Sequence, residues 1–413
     1  MSIHKTGFLL LFGALLSALA VAGPTSRGQA PPPAAARLPL EVRVFDGGKF
    51  VGDLGLKDFE LLEGGIPQTP EAVFLIRRGQ IERREGTTDI RPDLSRKLSI
   101  LFQLNEYSGK MDEAITHLFT KGLVPGDSLE IQTPVRNYQL SGASLAAKPP
   151  AVLAKELIRI VRRDIVQGSV VYNNLLRELK TIVRLIGSAG GERGEEATDT
   201  EGEVDSNSPL ELQLMRYKED LQKMEDLRAM TDSSLAAYAE KLRRLPGQKF
   251  VFYFYQREFR PEISSNTMDA LMMNNQDRPD ILAELQTIFP LYHRFLTLDS
   301  AKLGQVFADS AANFNFLFLN KTAQRLSNIT MREQSEDVFR ALSTIAEASG
   351  GIVESSQNPD ASIETAMRTA ESYYLLFFSP AVAAPPGRFI DLNVRVKGRD
   401  YKIVHPAGYL TRS

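Results

Sequence analysis

One polar turn in the sequence combines side chains that could bind or repel a metal ion. Residues 97–111 read KLSILFQLNEYSGKM, an apolar strand-like run followed by Glu106, Ser108 and Lys110. Carboxylate and hydroxyl oxygens are ligands that a hard cation such as Mg²⁺ accepts, whereas an ammonium has no lone pair to give. The turn therefore carries part of a cation-binding set together with a group that opposes it.

A second polar turn follows another apolar strand-like run. Residues 246–259 read PGQKFVFYFYQREF, and the run ends at Tyr255 and Arg257. A guanidinium close to a bound divalent ion would repel it. This turn also predicts a poor cation site.

The order and spacing of the two turns resemble those of a von Willebrand factor A-type (VWA) domain. In that family a first strand runs into D-x-S-x-S, a later strand runs into S-D-G, and a Thr from a third loop completes a divalent-cation site. Further strings are similar to secreted bacterial VWFA-related domain proteins: VRVFDGGKFVGDLGLKDFELLEGG, SLAAYAEKLRRLPGQK, SGGIVE, YYLLFFSP and HPAGYL. The resemblance covers most of the mature chain, and its motifs indicate a family rather than an activity.

The resemblance implies that the family's cation site is degenerate here. Its positions and their neighbours, which also form the candidate partner-binding edge, are Glu106, Ser108, Lys110, Ser169, Asn173, Tyr255 and Arg257. A register shift that puts Asn105 at the first Asp position restores no carboxylate at Tyr255. We therefore expect no metal and no cofactor, and we expect the Lys110 ammonium to replace the cation beside Glu106, Ser108 and Ser169.

The elements that would position these turns alternate between strands and helices. Apolar runs at 98–104, 249–255 and 314–319 are separated by segments with helical periodicity, which is typical of α/β proteins. We predict an α/β fold with a doubly wound, mostly parallel VWA/Rossmann-like sheet, a helical insertion and a small antiparallel β module. The expected segments are a signal peptide (1–22), a Pro/Ala-rich linker (23–37), an N-terminal β module (38–95), a VWA-like domain (96–380) and a C-terminal β segment (381–413) that packs with the N-terminal module.

The predicted insertion consists of two helical segments around an acidic loop. Residues 152–186 and 209–245 have apolar side chains at three- and four-residue spacing. Residues 187–207 are polar, acidic and rich in Gly, with almost nothing to bury. Two interpretations of the apolar stripe remain open: ordinary packing on the sheet, or a projecting hairpin that recruits a partner.

The N-terminus has the features of an export signal. Lys5 precedes the apolar run 7–19, and Ala20-Val21-Ala22 fits a cleavage site before Gly23. An uncleaved anchor is the alternative, although the run is short for a spanning helix. The chain has no Cys, so disulfides and thiol chemistry are impossible. We expect a periplasmic or extracellular protein without a membrane span after cleavage.

Composition and motifs argue against several functional classes. The 413 residues carry a formal net charge of −2, without the basic excess that nucleic-acid binding needs. The four His are isolated, and no H-E-x-x-H, G-x-S-x-G or P-loop motif is present. We therefore expect a non-enzymatic module that binds a protein of unknown identity, with its oligomeric state open. The alternative is a structural or assembly component of the envelope that acts through the helical insertion.

Overall fold

The computed structural model describes residues 37–189, 209–228, 230–293, 297–382 and 384–412. The predicted signal peptide, almost all of the linker and most of the acidic loop lie outside these residues. In the part of the chain that is described, no helix is both long and apolar enough to cross a membrane.

The described residues form 18 strands and 11 α-helices. The strands are β1 (Leu38–Asp46), β2 (Lys49–Phe50), β3 (Phe59–Glu63), β4 (Ile66–Gln68), β5 (Ala72–Arg77), β6 (Gln80–Gly86), β7 (Arg96–Gln103), β8 (Ser128–Gln132), β9 (Asn137–Leu140), β10 (Gln248–Gln256), β11 (Phe259–Ile263), β12 (Ala312–Leu319), β13 (Ile329–Glu333), β14 (Val353–Ser356), β15 (Ser372–Phe378), β16 (Phe389–Val396), β17 (Lys402–Val404) and β18 (Gly408–Leu410). The helices are α1 (Lys110–His117), α2 (Gly142–Ala146), α3 (Pro150–Gly168), α4 (Val170–Ala189), α5 (Leu210–Leu227), α6 (Asp232–Arg244), α7 (Ser265–Asn274), α8 (Pro279–Tyr292), α9 (Ser300–Asp309), α10 (Glu336–Ala348) and α11 (Pro359–Glu371).

The predicted fold class is wrong, because antiparallel sheets dominate the molecule. Three of the four sheets in the described residues are antiparallel throughout: β17-β1-β15-β5-β6 with β2, β18-β16-β3-β4, and β11-β13. The remaining sheet, called the mixed sheet here, has the order β14-β12-β10-β7-β8-β9 and ends in an antiparallel edge pair. The antiparallel part is therefore not a small module beside a mostly parallel sheet.

One strand explains much of this error. The predicted bounds of the VWA-like domain, 96–380, include residues 373–378. Instead β15 inserts between β1 and β5 and pairs antiparallel with both. The last strands likewise pair with the first part of the chain, β16 with β3 and β17 with β1.

The mixed sheet is covered on both faces, which explains its continuous apolar strands. On one face, Phe250, Phe252 and Phe254 of β10 pack in a core with residues of α1, α3 and α11. On the other face, Val251 and Tyr253 pack with residues of α6, α9 and α10. The sheet therefore holds its strand ends in fixed positions.

The helical insertion folds back on the chain instead of projecting its apolar stripe. Residues such as Leu179, Leu214 and Tyr217 are fully buried in a separate core that α4 and α5 share with α7, α8, β11 and β13. The single long helix predicted for 209–245 is two helices, because the Thr231 side chain caps a new one.

Candidate functional site

The mixed sheet brings the two predicted turns together at one edge. β7 and β10 are parallel neighbours, with Gln103 opposite Tyr255, so the turns that follow them lie side by side. The side-chain oxygen of Gln256 accepts hydrogen bonds from the backbone N–H groups of Asn105 (3.1 Å) and Glu106 (2.9 Å). The two turns are thus tied by hydrogen bonds.

The first turn does not have the arrangement that we predicted for Lys110. Glu106, Ser108 and Lys110 are all exposed. The cation beside the Glu106 carboxylate is Lys321, whose Nζ lies 3.9 Å from Oε2, and Lys110 has no ion-pair or hydrogen-bond partner among the described residues. The prediction that Lys110 replaces the missing cation is therefore wrong in this structure, because Lys321 is the ammonium that lies beside Glu106.

Ser169 and Asn173, two further predicted site residues, lie at the same edge, where α3 ends and α4 begins. Asn173 Nδ2 donates to the backbone oxygen of Asn105 and to Ser169 Oγ, both at 3.2 Å. Ser169 is buried, and its Oγ donates to the backbone oxygen of Val166 at 3.2 Å. The Asn105 backbone oxygen and Ser169 Oγ therefore make hydrogen bonds within the protein, and Ser169 is not exposed to bind a metal ion.

The second turn contains a buried carboxylate that the sequence analysis missed. The Tyr255 hydroxyl donates to Glu258 Oε2 at 3.0 Å, and Asn105 Nδ2 donates to Oε1 at 2.6 Å. Burial raises the pKa of Glu258, although Arg228, Tyr255 and Asn105 act in the opposite direction. Glu258 lies three residues beyond the predicted ligand position Tyr255. The sequence signal that could have revealed it is the acidic residue in the string QREF, directly after the apolar strand.

The buried cation that faces this carboxylate is Arg228, at the end of α5. Its guanidinium lies 3.5 Å from Glu258 Oε2, 3.1 Å from Glu225 Oε2 and 2.7 Å from Asp337 Oδ1. Burial acts to lower the pKa of Arg228, but the neighbouring acidic groups raise it overall. Arg228 is therefore protonated and lies within ion-pair distance of three carboxylates.

Arg257 is held by the neighbouring antiparallel strand. Its Nε lies 3.1 Å from Glu333 Oε1, and its guanidinium lies over the ring of Phe318 at 5.5 Å. The Arg257 side chain is therefore held by an ion pair with Glu333 and by its contact with Phe318.

Four exposed valines lie at or beside the junction of α3, α4 and the β8–β9 turn, next to this edge, and we call them the valine patch. It consists of Val135, Val166, Val170 and Val171. The β8–β9 turn packs closely on Gly168 between these helices, since a Cβ atom at Gly168 would lie 3.5 Å from Val135 Cγ2. The most exposed members, Val166 and Val171, have 56% and 57% of their surface accessible. Such clustering of exposed aliphatic side chains is a feature of interaction surfaces.

No cluster of three or more His, Asp or Glu side chains that could hold a metal occurs among the described residues. No protein-family model, curated protein or solved structure matches the chain. The resemblance to VWFA-related proteins therefore stays a prediction.

Proposed function

We propose that the chain is an exported, non-enzymatic protein-binding module of the kind found in VWFA-related domain proteins, and that it binds its partner without a metal ion. The observation that carries this proposal is the valine patch beside Asn105 and Asn173. Exposed aliphatic groups favour a partner because their burial removes apolar surface from water.

The charges around the valine patch indicate the chemistry of the partner. Arg136 adjoins Val135 in the β8–β9 turn, and Arg177 lies two helical turns beyond Val170 on α4. Both side chains are exposed, and neither has a carboxylate partner within the described residues. Lys110 adds an exposed cation on the turn after β7. We therefore propose a partner segment with apolar side chains flanked by acidic ones.

The experiment combines site-specific photo-crosslinking with affinity measurement. A photo-reactive amino acid at Val170 should give a discrete adduct in intact cells, whereas the same group at Ile81 should not. Ile81 is a matched control because it is exposed and apolar but lies on β6 of another sheet. The partner is identified from the adduct and its affinity is measured with purified proteins.

A substitution then tests whether the patch itself binds. Val171→Asp should weaken the identified partner at least about tenfold, since it adds like charge toward an acidic segment and removes apolar area. Its stability should change by no more than about 0.5 kcal/mol, as for other surface positions. Equal adducts at Val170 and Ile81, or unchanged affinity of Val171→Asp, would refute the proposal. The apolar stripe of the helical insertion is buried, so the proposed docking surface is the exposed junction of α3 and α4 with the β8–β9 turn and not that stripe.

A further inference from the structure

A polar cavity lies at the amino end of the mixed sheet, away from the edge described above. Its volume is about 200 Å³. Lys249, near the start of β10, lines it together with Glu41 and Arg43 of β1. The cavity thus lies where the mixed sheet meets the first antiparallel sheet.

Arg43 is fully engaged by the protein. Its side chain is 2% exposed, and it donates to the backbone oxygens of Thr369 (2.9 Å) and Gly350 (2.7 Å). Its remaining terminal nitrogen pairs with the Glu41 carboxylate. Arg43 and Glu41 therefore neutralise each other.

Lys249 has no comparable partner. It is 6% exposed, and the one hydrogen bond that its side chain makes to a described residue is a long contact of 3.4 Å to the backbone oxygen of Leu245. No carboxylate of the described residues lies within 4.0 Å of its Nζ. Burial lowers the pKa of Lys249 to about 8, although Glu41 acts against this. An ammonium buried with so little compensation needs a counter-charge.

We propose that the cavity binds a small monocarboxylate anion, whose carboxylate pairs with the Lys249 ammonium. Two cations and one carboxylate line the cavity, so one positive charge is left for a monoanion. The walls also include Pro39, Leu375 and Pro406, which can contact a short alkyl group. A carboxylate with a short chain satisfies both features, whereas a metal ion would meet two cations.

Acetate is the probe, and chloride is the control anion. Melting temperatures of the full-length protein are measured in increasing sodium acetate and in sodium chloride at matched ionic strength. A ligand that binds only the folded state raises the melting temperature. The wild type and the exposed-lysine control Lys155→Met should show a saturable acetate-specific rise, and Lys249→Met should show none.

A second variant strengthens the site and so tests the same idea in the opposite direction. Glu41→Gln keeps an oxygen that accepts from Arg43 but removes the carboxylate, so acetate should half-saturate at a concentration several-fold lower. Equal effects of acetate and chloride on the wild type would overturn the proposal. An acetate-specific rise that persists in Lys249→Met, or weaker acetate binding by Glu41→Gln, would overturn it as well.

Discussion

At the carboxyl ends of β7 and β10, the buried carboxylate of Glu258 has three partners, whereas at the amino end of β10 the buried ammonium of Lys249 has one. Asn105, Tyr255 and Arg228 surround Glu258 at 2.6, 3.0 and 3.5 Å. Lys249 has a single side-chain hydrogen bond within the described residues, at 3.4 Å. The turn after β10 therefore holds a buried charge with several partners, whereas the start of β10 holds a buried charge with few.

This difference separates two kinds of polar site. A saturated network holds loops in place and leaves no buried charge for a ligand, so at the carboxyl edge the exposed valine patch is the candidate binding surface. An unsaturated charge in a cavity destabilises the empty protein and gains from an added counter-ion. Substitutions at the two ends should thus change stability in opposite directions.

The largest expected effect is at the saturated end. Arg228→Met removes the guanidinium that Glu258, Glu225 and Asp337 share, although Glu225 keeps its contact with Arg260 at 3.4 Å. Removing one partner of such a buried ionic network should lower the free energy of unfolding by about 3–5 kcal/mol. Urea denaturation at pH 7 measures this loss.

Arg244→Met is the matched control for Arg228→Met. The Arg244 side chain is 74% exposed and pairs with Glu240 at 3.0 Å, so its loss should cost no more than about 1 kcal/mol. If both substitutions cost the same, Glu258 is not held by a buried network, and the contrast between the two ends fails.

The opposite sign is expected at the unsaturated end. The pKa of Lys249 is lowered from 10.5 to about 8, so stability is lost as the pH falls from 10.5 to about 8, and the full cost is present below about 8. In carboxylate-free buffer, Lys249→Met should therefore raise the free energy of unfolding at pH 7 by up to about 3 kcal/mol.

The gain from Lys249→Met should shrink as the pH rises from about 8 towards 10.5, because Lys249 of the folded protein is already neutral there and the unfolded chain gives up its extra proton near 10.5. Other charges act on Lys249 across this range: Glu41, Lys97, Asp309 and Arg412. Urea denaturation at pH 7 and pH 10, with Lys155→Met as the control, isolates its own contribution. A loss of stability at pH 7 would show that the ammonium is already compensated.

A smaller effect tests one bond of the saturated network. Tyr255→Phe removes the hydroxyl that donates to Glu258 Oε2, and this should cost about 1–3 kcal/mol, since it leaves a buried acceptor without that donor. Tyr253→Phe is a close control, because Tyr253 is also buried on β10 and has no hydrogen-bond partner among the described residues. Similar losses for both variants would mean that ring packing, not the Glu258 contact, accounts for the effect.

Local sequence patterns predicted the strands at the centre of the mixed sheet. They did not predict that most sheets of the described residues are antiparallel. Continuous apolar runs indicated β7, β10 and β12, because a strand covered on both faces needs them. The apolar run of β15 did not reveal that this strand pairs with β1 and β5, because a buried apolar run does not show which sheet it joins. The sequence analysis also missed β11, where Pro261 lies within the strand and argued against one.

The candidate site was predictable to a similar extent. The resemblance to VWA domains implied that the turns after the two apolar strands share one edge, and the parallel pairing of β7 and β10 does bring these turns together. The partner of Glu258 did not follow, because Arg228 lies 30 residues earlier in the chain at a helix end. Only the tertiary fold brings these two charges together, and no spacing rule encodes that contact.

The smallest expected effect concerns Lys110 and added metal. Lys110 is exposed and unpaired among the described residues, so Lys110→Ser should change the free energy of unfolding by no more than about 0.5 kcal/mol. Mg²⁺ should leave the melting temperature of the wild type and of Lys110→Ser unchanged. The reason is that Glu106 faces the Lys321 ammonium at 3.9 Å, while Ser169 is buried and hydrogen-bonded within the protein. Mg²⁺ stabilisation of the wild type would mean that the edge still binds a cation, because a ligand of the folded state must raise the melting temperature. Stabilisation of Lys110→Ser alone would mean that Lys110, and not Lys321, takes the place of the metal.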